Sequence, residues 1–560
     1  MTASPKGLWR RCWHRPLHWH AAALFVVLLG ALALTLPLAS FTTDEGSAVL
    51  QARQLEDGWK WRIGSPPPSL DPAGDSGLIL NADVGSKGRA FYSKHALYPI
   101  LVAGADLAGG RFGMFLISII GTVGAGYAAA LLARRLRPEL DRPTLWITGL
   151  ASPLFFYSFV IVGHTLLAAL TGFAAVAAIN GKGASIRRLV AIAFCCALAG
   201  ALRSEGLFVG PALGIALASA GGLSKSAVLP RLPRALAAVG GTIVGATLDR
   251  LSAHAITGNS FPHVVTNDLG FLPSRWSGLA HSGLSGSMDK IPSDAGLAVA
   301  TVLLVLAAVL AGTPTRARPA GLLVAAAGLL YLLRGLIDPR QLIPGLVPAF
   351  PLGVFALIAL RRRWRQSETT VVLTVASTIG LTAVVLTQYS GGGGLEWGGR
   401  YFAFTLPLLC PLVALSLAEV SPRLGTLRRA ATGGLVVSVV VLGAVSLAVI
   451  KTTHQAANEL ENLVASVSRE HPDAVMIWQQ SLIPQVVWEG VDVERWLIPP
   501  DNDLDAAIER LSRADVPEVV LVATTNAKER ATFEQFFTVV DTQRAARSTQ
   551  VFSTGVARAK

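Results

Sequence analysis

Long apolar runs alternate with short polar breaks along most of this chain. The runs fall near 20–40, 110–133, 144–161, 164–180, 188–202, 205–223, 234–252, 294–312, 319–336, 341–360, 370–388, 401–419 and 431–450. Most approach the roughly 20 residues that a helix needs to cross a hydrocarbon core. The pattern predicts a polytopic α-helical membrane protein with about 13 transmembrane helices. Arg203 and Glu205 interrupt the apolar character between 188 and 223.

The polar breaks give these spans a direction. Basic residues gather at Arg134-Arg135-Leu-Arg137, Lys182 with Arg187-Arg188, Lys225 with Arg231 and Arg234, Arg316 with Arg318, Arg361-Arg362-Arg363-Trp-Arg365, and Arg423 with Arg428-Arg429. A cytoplasmic N-terminus puts all of these breaks on the cytoplasmic side, as the positive-inside rule requires. The first apolar run follows Arg10, Arg11 and Arg15 and exceeds the core of a typical signal peptide, so it reads as a retained helix. The odd number of spans then leaves the C-terminal tail outside.

Three stretches depart from the pattern. The first outer loop, 41–110, is long, and long loops in compact structures are usually functional. Its beginning, Gly46 to Leu55, and its end, Lys94 to Leu107, have the apolar spacing of amphipathic helices lying in the interface plane. A second outer loop runs from about 252 to 292. After Ile450 a polar helix, Thr452 to Glu470, continues the last span. Strand patterns follow at 474–478, 496–498, 518–522 and 549–552, with helices at 504–512 and near 528–537. This predicts two domains: a transmembrane domain over 1–450 and a small extracytoplasmic α/β domain over 451–560.

Composition agrees with this. The chain has 560 residues, 52% hydrophobic and only 15% charged, where soluble proteins carry about 25% charged residues. The net charge of +13 sits in the breaks between spans and forms no basic stripe interleaved with aromatics, so it argues for topology and against nucleic acid as a partner. Of four cysteines, Cys12 lies in the basic N-terminal segment, and Cys195, Cys196 and Cys410 lie in apolar runs. That placement suits neither a disulfide framework nor a thiolate metal site. The C-terminal stretch has no G-x-G-x-x-G and no P-loop.

Candidate chemistry begins with Asp44 and Glu45, which stand together directly after the first span in Phe41-Thr-Thr-Asp-Glu-Gly46. Carboxylates beside lipid are costly and mark functional sites. The plainer reading is a helix cap, a role that Asp favours. Lys94 and His95, in Phe91-Tyr-Ser-Lys-His-Ala-Leu-Tyr-Pro99, open the second amphipathic segment, where free N–H groups and the helix dipole favour an anion. Membrane anchoring by Lys94 and by Tyr92 and Tyr98 fits the same residues. Arg203-Ser-Glu205, Asp249-Arg250, Asp338-Pro-Arg340 and Glu396-Trp-Gly-Gly-Arg400-Tyr401 bring further charges to the outer ends of later spans. Together they imply a polar cavity at one depth, although each arginine by itself suits a structural ion pair. His164 and His263 read as polar surface. The two acidic residues, Asp44 and Glu45, can also hold a hard divalent cation through oxygen.

As a set, these features resemble the GT-C superfamily of membrane glycosyltransferases, which includes protein O-mannosyltransferases and the lipid A aminoarabinose transferase. The resemblance rests on Thr43-Asp44-Glu45 after the first span, Ala48-Val-Leu-Gln-Ala52, Lys94-His-Ala-Leu-Tyr-Pro-Ile-Leu101, Ala201-Leu-Arg-Ser-Glu-Gly206 and Trp397-Gly-Gly-Arg-Tyr401. It covers most of 1–450 and leaves the C-terminal segment aside. It implies a GT-C-like fold and transfer of a sugar from a polyprenyl-phosphate donor to a glycan, lipid or protein acceptor of the cell envelope, at the outer face of a bacterial plasma membrane. It also implies Asp44, with Glu45, as the catalytic acidic residue. The donor phosphate would fall to Lys94, His95, Arg203, Arg340 and Arg400, with Tyr98, Glu205, Glu396 and Tyr401 lining the cavity. The main alternative is a secondary transporter or flippase, which would share the many spans but is expected to show internal symmetry between its halves. A lipid-polymer ligase or polymerase and a non-catalytic membrane scaffold are further alternatives.

Overall fold

The computed structural model describes residues 15–35, 42–56, 58–61, 66–72, 74, 76, 81–83, 89–92, 94–179, 185–220, 228–259, 283, 295–313, 316–337, 344–363, 367–387, 397–480, 483–487, 495–499, 503–514, 516–524, 528–547 and 550–559. Five helical stretches in them are long and apolar enough to cross a membrane: Leu17–Thr35, Leu97–Leu136, Ala317–Ile337, Glu368–Thr387 and part of the run Arg400–Glu470. Shorter apolar helices, His164–Ile179 and Ala295–Ala311 among them, pack around these. Leu and Val side chains such as Val26, Val27, Leu34, Val299, Val302 and Leu329 stay exposed on the bundle's outside. That is the surface a bilayer would cover.

Several expected spans are broken. The run 341–360 is a turn of helix at Leu346–Ala349, a 3₁₀ turn at Gly353–Phe355 and a short helix from Ala356. The run 401–419 begins as 3₁₀ helix, Arg400–Thr405, before Leu406–Val420 continues as α-helix. Pro348, Pro351 and Pro407 explain much of this, since proline removes a donor and fixes φ. The expected interfacial segment from Lys94 and the following span are two parts of one run, Leu97–Leu136, kinked at Gly109 and Gly110. Gly110 takes φ 58° and ψ −153°, a conformation open to glycine and costly for other residues.

The first amphipathic segment also differs from expectation. Thr43–Glu56 is a helix, but it is buried on most sides and does not lie with one face on a surface: Glu45, Gly46, Ser47, Ala48, Val49, Leu50, Gln51, Ala52 and Leu55 are all buried. Its small residues let Leu97–Leu136 approach on one side and the turn Ile483–Val486 on another. The Ser47 hydroxyl donates to Gln485 Oε1 at 3.1 Å. The acidic helix and the C-terminal segment therefore meet at one end of the bundle.

That C-terminal segment holds a five-stranded sheet. With the small hairpin Asn81–Asp83 (β1) and Arg89–Phe91 (β2) counted first, its strands are β3 (Val475–Trp478), β4 (Trp496–Leu497), β5 (Val519–Thr524), β6 (Phe537–Arg547) and β7 (Gln550–Ala559), in the order β4-β3-β5-β7-β6. β3 runs parallel to β4 and β5, with Ile477 beside Leu521, and β7 is antiparallel to β5 and β6. Leu504, Ala507, Ile508 and Leu511 place one apolar stripe of Leu504–Arg513 on the sheet core with Val475, Ile477 and Val519. β6 was not foreseen. Asp541, Gln543, Arg544 and Arg547 mask its periodicity, as charges on an edge strand do.

Small residues set the spacing of the helices that carry the site. On Leu232–Thr257, a Cβ at Gly241 would stand 2.3 Å from Ala193 O, and one at Gly245 would stand 1.9 Å from Ala197 O of the helix Ile186–Leu202. Close backbone approach of this kind is how helices associate in lipid. One helix of the pair leads into Arg203 and the other carries Asp249. Gly245→Val should therefore lower thermal stability in detergent, by about 1–3 kcal/mol from overpacking. Gly240→Ala, one residue from Gly241 with open space at its Cβ, should be neutral or gain up to about 1 kcal/mol of helix propensity. Equal effects from both would mean that this helix crossing is not in close contact.

Candidate functional site

Thr42 starts the site. Its Oγ1 accepts the Glu45 N–H at 3.3 Å, capping the helix Thr43–Glu56 and putting both acidic residues in its first turn. The two side chains then part. Asp44 Oδ1 accepts from Lys94 Nζ, and Asp44 Oδ2 accepts from Arg400 Nη1. Glu45 turns inward, fully buried, and its Oε1 accepts the Ile161 N–H at 2.8 Å. That bond ties the acidic helix to the loop before His164–Ile179.

Each cation on Asp44 is positioned by a separate device. Gln51, fully buried and two turns along the acidic helix, holds the backbone of Lys94: its Oε1 accepts Lys94 N–H at 2.8 Å and its Nε2 donates to Lys94 O at 3.3 Å. Arg400 follows two glycines with left-handed backbones, Gly398 at φ 64° and Gly399 at φ 60°. Gly398 N–H donates to Pro344 O at 2.7 Å, and a Cβ there would stand 2.5 Å from Pro153. Trp397 stacks on Phe156, with centroids 4.9 Å apart and planes 2° from parallel, and its carbonyl accepts the Tyr157 hydroxyl. The Arg400 guanidinium lies over the Tyr401 ring and donates from Nη2 to its hydroxyl at 3.0 Å.

The remaining sequence candidates divide. Arg203 stands close enough to act electrostatically on Asp44 and forks onto the fully buried Glu205, with Nε 3.1 Å from Oε2 and Nη2 3.1 Å from Oε1. Tyr98 is buried beside Gly163, where a Cβ would stand 3.3 Å from its ring. His95 pairs with a different carboxylate, its Nδ1 2.9 Å from Asp249 Oδ1. Arg340 and Glu396 lie outside the described residues, as do Asp338 and His263. His164, expected as polar surface, is buried at 1% exposure. Gln51 was missed as well. Its signal was an amide in the apolar stretch Ala48-Val-Leu-Gln-Ala52, at the position that shares a face with Asp44 two turns away.

Charge defines what this arrangement can do. Arg203 and Glu205 pair with each other, whereas Asp44 stands between two cations. Burial alone would raise the Asp44 pKa, but Arg400 and then Lys94 hold the carboxyl well below the ordinary carboxylate range. Burial pulls the Lys94 ammonium below its usual pKa, against Asp44 beside it. A second anion at the same place would meet two donors already oriented. A divalent cation fits poorly: both Asp44 oxygens serve cations, and Glu45 is committed to Ile161. Among the described residues no group of three or more His, Cys, Asp or Glu side chains stands ready for a metal.

In sequence, no family model matches this chain and no curated protein does. Solved structures alike in chain path include ArnT from Cupriavidus metallidurans bound to undecaprenyl phosphate, at 12% identity and a TM-score of 0.49 over 96% of this chain and 98% of that one. A second is the archaeal oligosaccharyltransferase AglB from Archaeoglobus fulgidus in complex with an inhibitory peptide and a dolichol-phosphate, at 14% identity and 0.48 over 90% and 69%. The Archaeoglobus fulgidus oligosaccharyltransferase in complex with Zn and sulfate matches at 11% identity and 0.46 over 89% and 68%. ArnT and AglB are GT-C glycosyltransferases, the superfamily whose motifs the sequence resembles.

The charge balance at Asp44 is testable as stability. A carboxyl with a depressed folded pKa contributes stability above its unfolded value of about 3.9 and loses it only as pH falls through the folded value. The contribution should therefore be flat from pH 8 to about 5. Asp44→Asn removes the carboxylate from between Lys94 and Arg400, at an expected cost of about 3 kcal/mol. Adding Lys94→Met should recover part of the loss in detergent melting curves. An additive double variant would mean that the two side chains do not interact.

Proposed function

We propose that this chain is an integral membrane glycosyltransferase that moves a sugar from a polyprenyl-phosphate donor to a cell-envelope acceptor, with inversion at the anomeric carbon. The observation that carries this reading is one carboxylate held between two cations at the end of a helix bundle. A lipid phosphate has the charge and geometry to take over those cations, with its tail in the bilayer beside them. The basic breaks support a site on the outer face, a cytoplasmic N-terminus and residence in a bacterial plasma membrane. The Ser47–Gln485 bond supports a C-terminal domain, 451–560, on the same face as the site within 1–450.

The chemistry follows from competition for the cations. Donor phosphate draws Lys94 and Arg400 away from Asp44, which lifts the depression of its pKa and frees an oxygen. The acceptor hydroxyl attacks the anomeric carbon on the face opposite the phosphate and gives its proton to Asp44. The bond from that carbon to the phosphate oxygen breaks, and its electron pair leaves on the lipid phosphate. That product is a stable anion, so the cations do most for the charge developing there. Single displacement inverts the configuration.

Membranes carrying the chain and given a radiolabelled polyprenyl-phosphate sugar should pass label to an acceptor. Asp44→Asn should remain folded and lose transfer by about 10²- to 10⁴-fold. It should also hold bare polyprenyl phosphate at least as tightly as wild type, because the competing carboxylate is gone. Lys94→Ala should weaken that binding. An active Asp44→Asn protein would remove the base assignment, and label that only crosses the bilayer would favour a flippase.

A further inference from the structure

His164 opens the helix His164–Ile179 and lies among the charged residues of the site. Its ring packs 5.6 Å from the Tyr157 ring and stands edge-on, 6.1 Å, to the Tyr401 ring. Tyr401 in turn carries Arg400, the cation on Asp44. Nδ1 lies 3.9 Å from Oε1 of the fully buried Glu205, whose other partner is Arg203. The loop before it is fixed by the Ile161 N–H bond to Glu45, the neighbour of Asp44. Two aromatic rings and a carboxylate thus surround one imidazole, in a segment tied to the acidic helix.

The other ring nitrogen stands out. Nε2 is buried and has no hydrogen-bond partner among the described residues. A buried polar group left in that state costs about 1–3 kcal/mol, which a leucine of similar bulk would avoid. In a neutral imidazole only one nitrogen carries hydrogen. Nδ1 is the nitrogen near the Glu205 carboxylate, 3.9 Å away, so the field of that carboxylate favours the hydrogen on Nδ1 and the lone pair on Nε2. That lone pair can accept a hydrogen bond, and hydroxyl groups are what sugars and their acceptors supply.

We propose that His164 contacts substrate in this site, its Nε2 accepting a hydrogen bond from a hydroxyl of the donor sugar or of the acceptor. The inference rests on the glycosyltransferase reading and adds a recognition role to it. Glu205 is the positioning residue, whose charge favours that tautomer. The groups facing the imidazole are Glu205 and Arg203 from the 3₁₀ turn at 204–208 and the residue before it, Arg400 and Tyr401 from the turn at 400–405, Tyr157, Lys94 and Asp44.

The test compares His164→Leu and His164→Gln with wild type in three assays: binding of bare polyprenyl phosphate, binding of a polyprenyl-phosphate sugar, and transfer of label. His164→Leu should bind the bare lipid phosphate as wild type does and melt at the same temperature or higher. It should lose about ten- to hundredfold in sugar-lipid binding if the hydroxyl is the donor's. If the hydroxyl is the acceptor's, it should lose as much in transfer alone. His164→Gln, which can place an amide oxygen near the Nε2 position, should recover part of the loss. His164→Leu equal to wild type in every assay overturns the inference, and so does an equal loss in bare lipid phosphate binding. Wild type that neither binds polyprenyl phosphate nor transfers label overturns the glycosyltransferase reading itself.

Discussion

Asp44 accepts from Lys94 on one carboxylate oxygen and from Arg400 on the other, and the placing of those two cations organises this end of the molecule. They come from segments 50 and 356 residues away from Asp44. The carboxylate between them offsets the repulsion of two like charges with little water around them. The folding of the segment that follows Leu17–Thr35 and of the turn at 397–401 therefore converges on one side chain. The supports are specific: an amide that clamps the Lys94 backbone, and a pair of left-handed glycines locked by Trp397 on Phe156.

This arrangement links stability to function through a single competition. Resting, the carboxylate neutralises part of the positive charge and keeps both donors oriented. In the proposed mechanism an anionic ligand gives the same donors a second claimant, and the carboxylate becomes available as a base. Pre-oriented donors are worth more than flexible ones because little reorganisation is left to do when charge develops. Close helix packing serves the same end. The glycine contacts at Gly241 and Gly245 fix the helix that carries Asp249 against the helix that leads into Arg203. Lys94 and Arg203 are thereby referred to one frame, Lys94 through its neighbour His95 on Asp249.

Much of this was legible in the sequence, and the reasons for the rest are physical. Asp44, Lys94, Arg203 and Arg400 stood out because charges are rare among apolar runs, and the structure brings all four together. Charge alone could not say that Glu45 would turn inward onto a backbone N–H, because adjacent residues on a helix point about 100° apart and only one can face the cavity. Gln51 and His164 were passed over since a lone polar residue carries no pattern. Their meaning comes from what lies opposite them, 43 residues away for Gln51 and 41 for His164. The strand Phe537–Arg547 was hidden by its own edge charges. Helix breaks at 351–356 and 400–406 were hidden because hydropathy averages over them while proline acts at one residue.

The central claim is that lipid phosphate and Asp44 compete for Lys94 and Arg400. A structure determined with bound polyprenyl phosphate tests it most directly. The account predicts phosphate oxygens within hydrogen-bond distance of Lys94 Nζ and the Arg400 guanidinium, with at least one Asp44 oxygen released from its cation. A phosphate bound elsewhere, with both contacts of Asp44 intact, would contradict it.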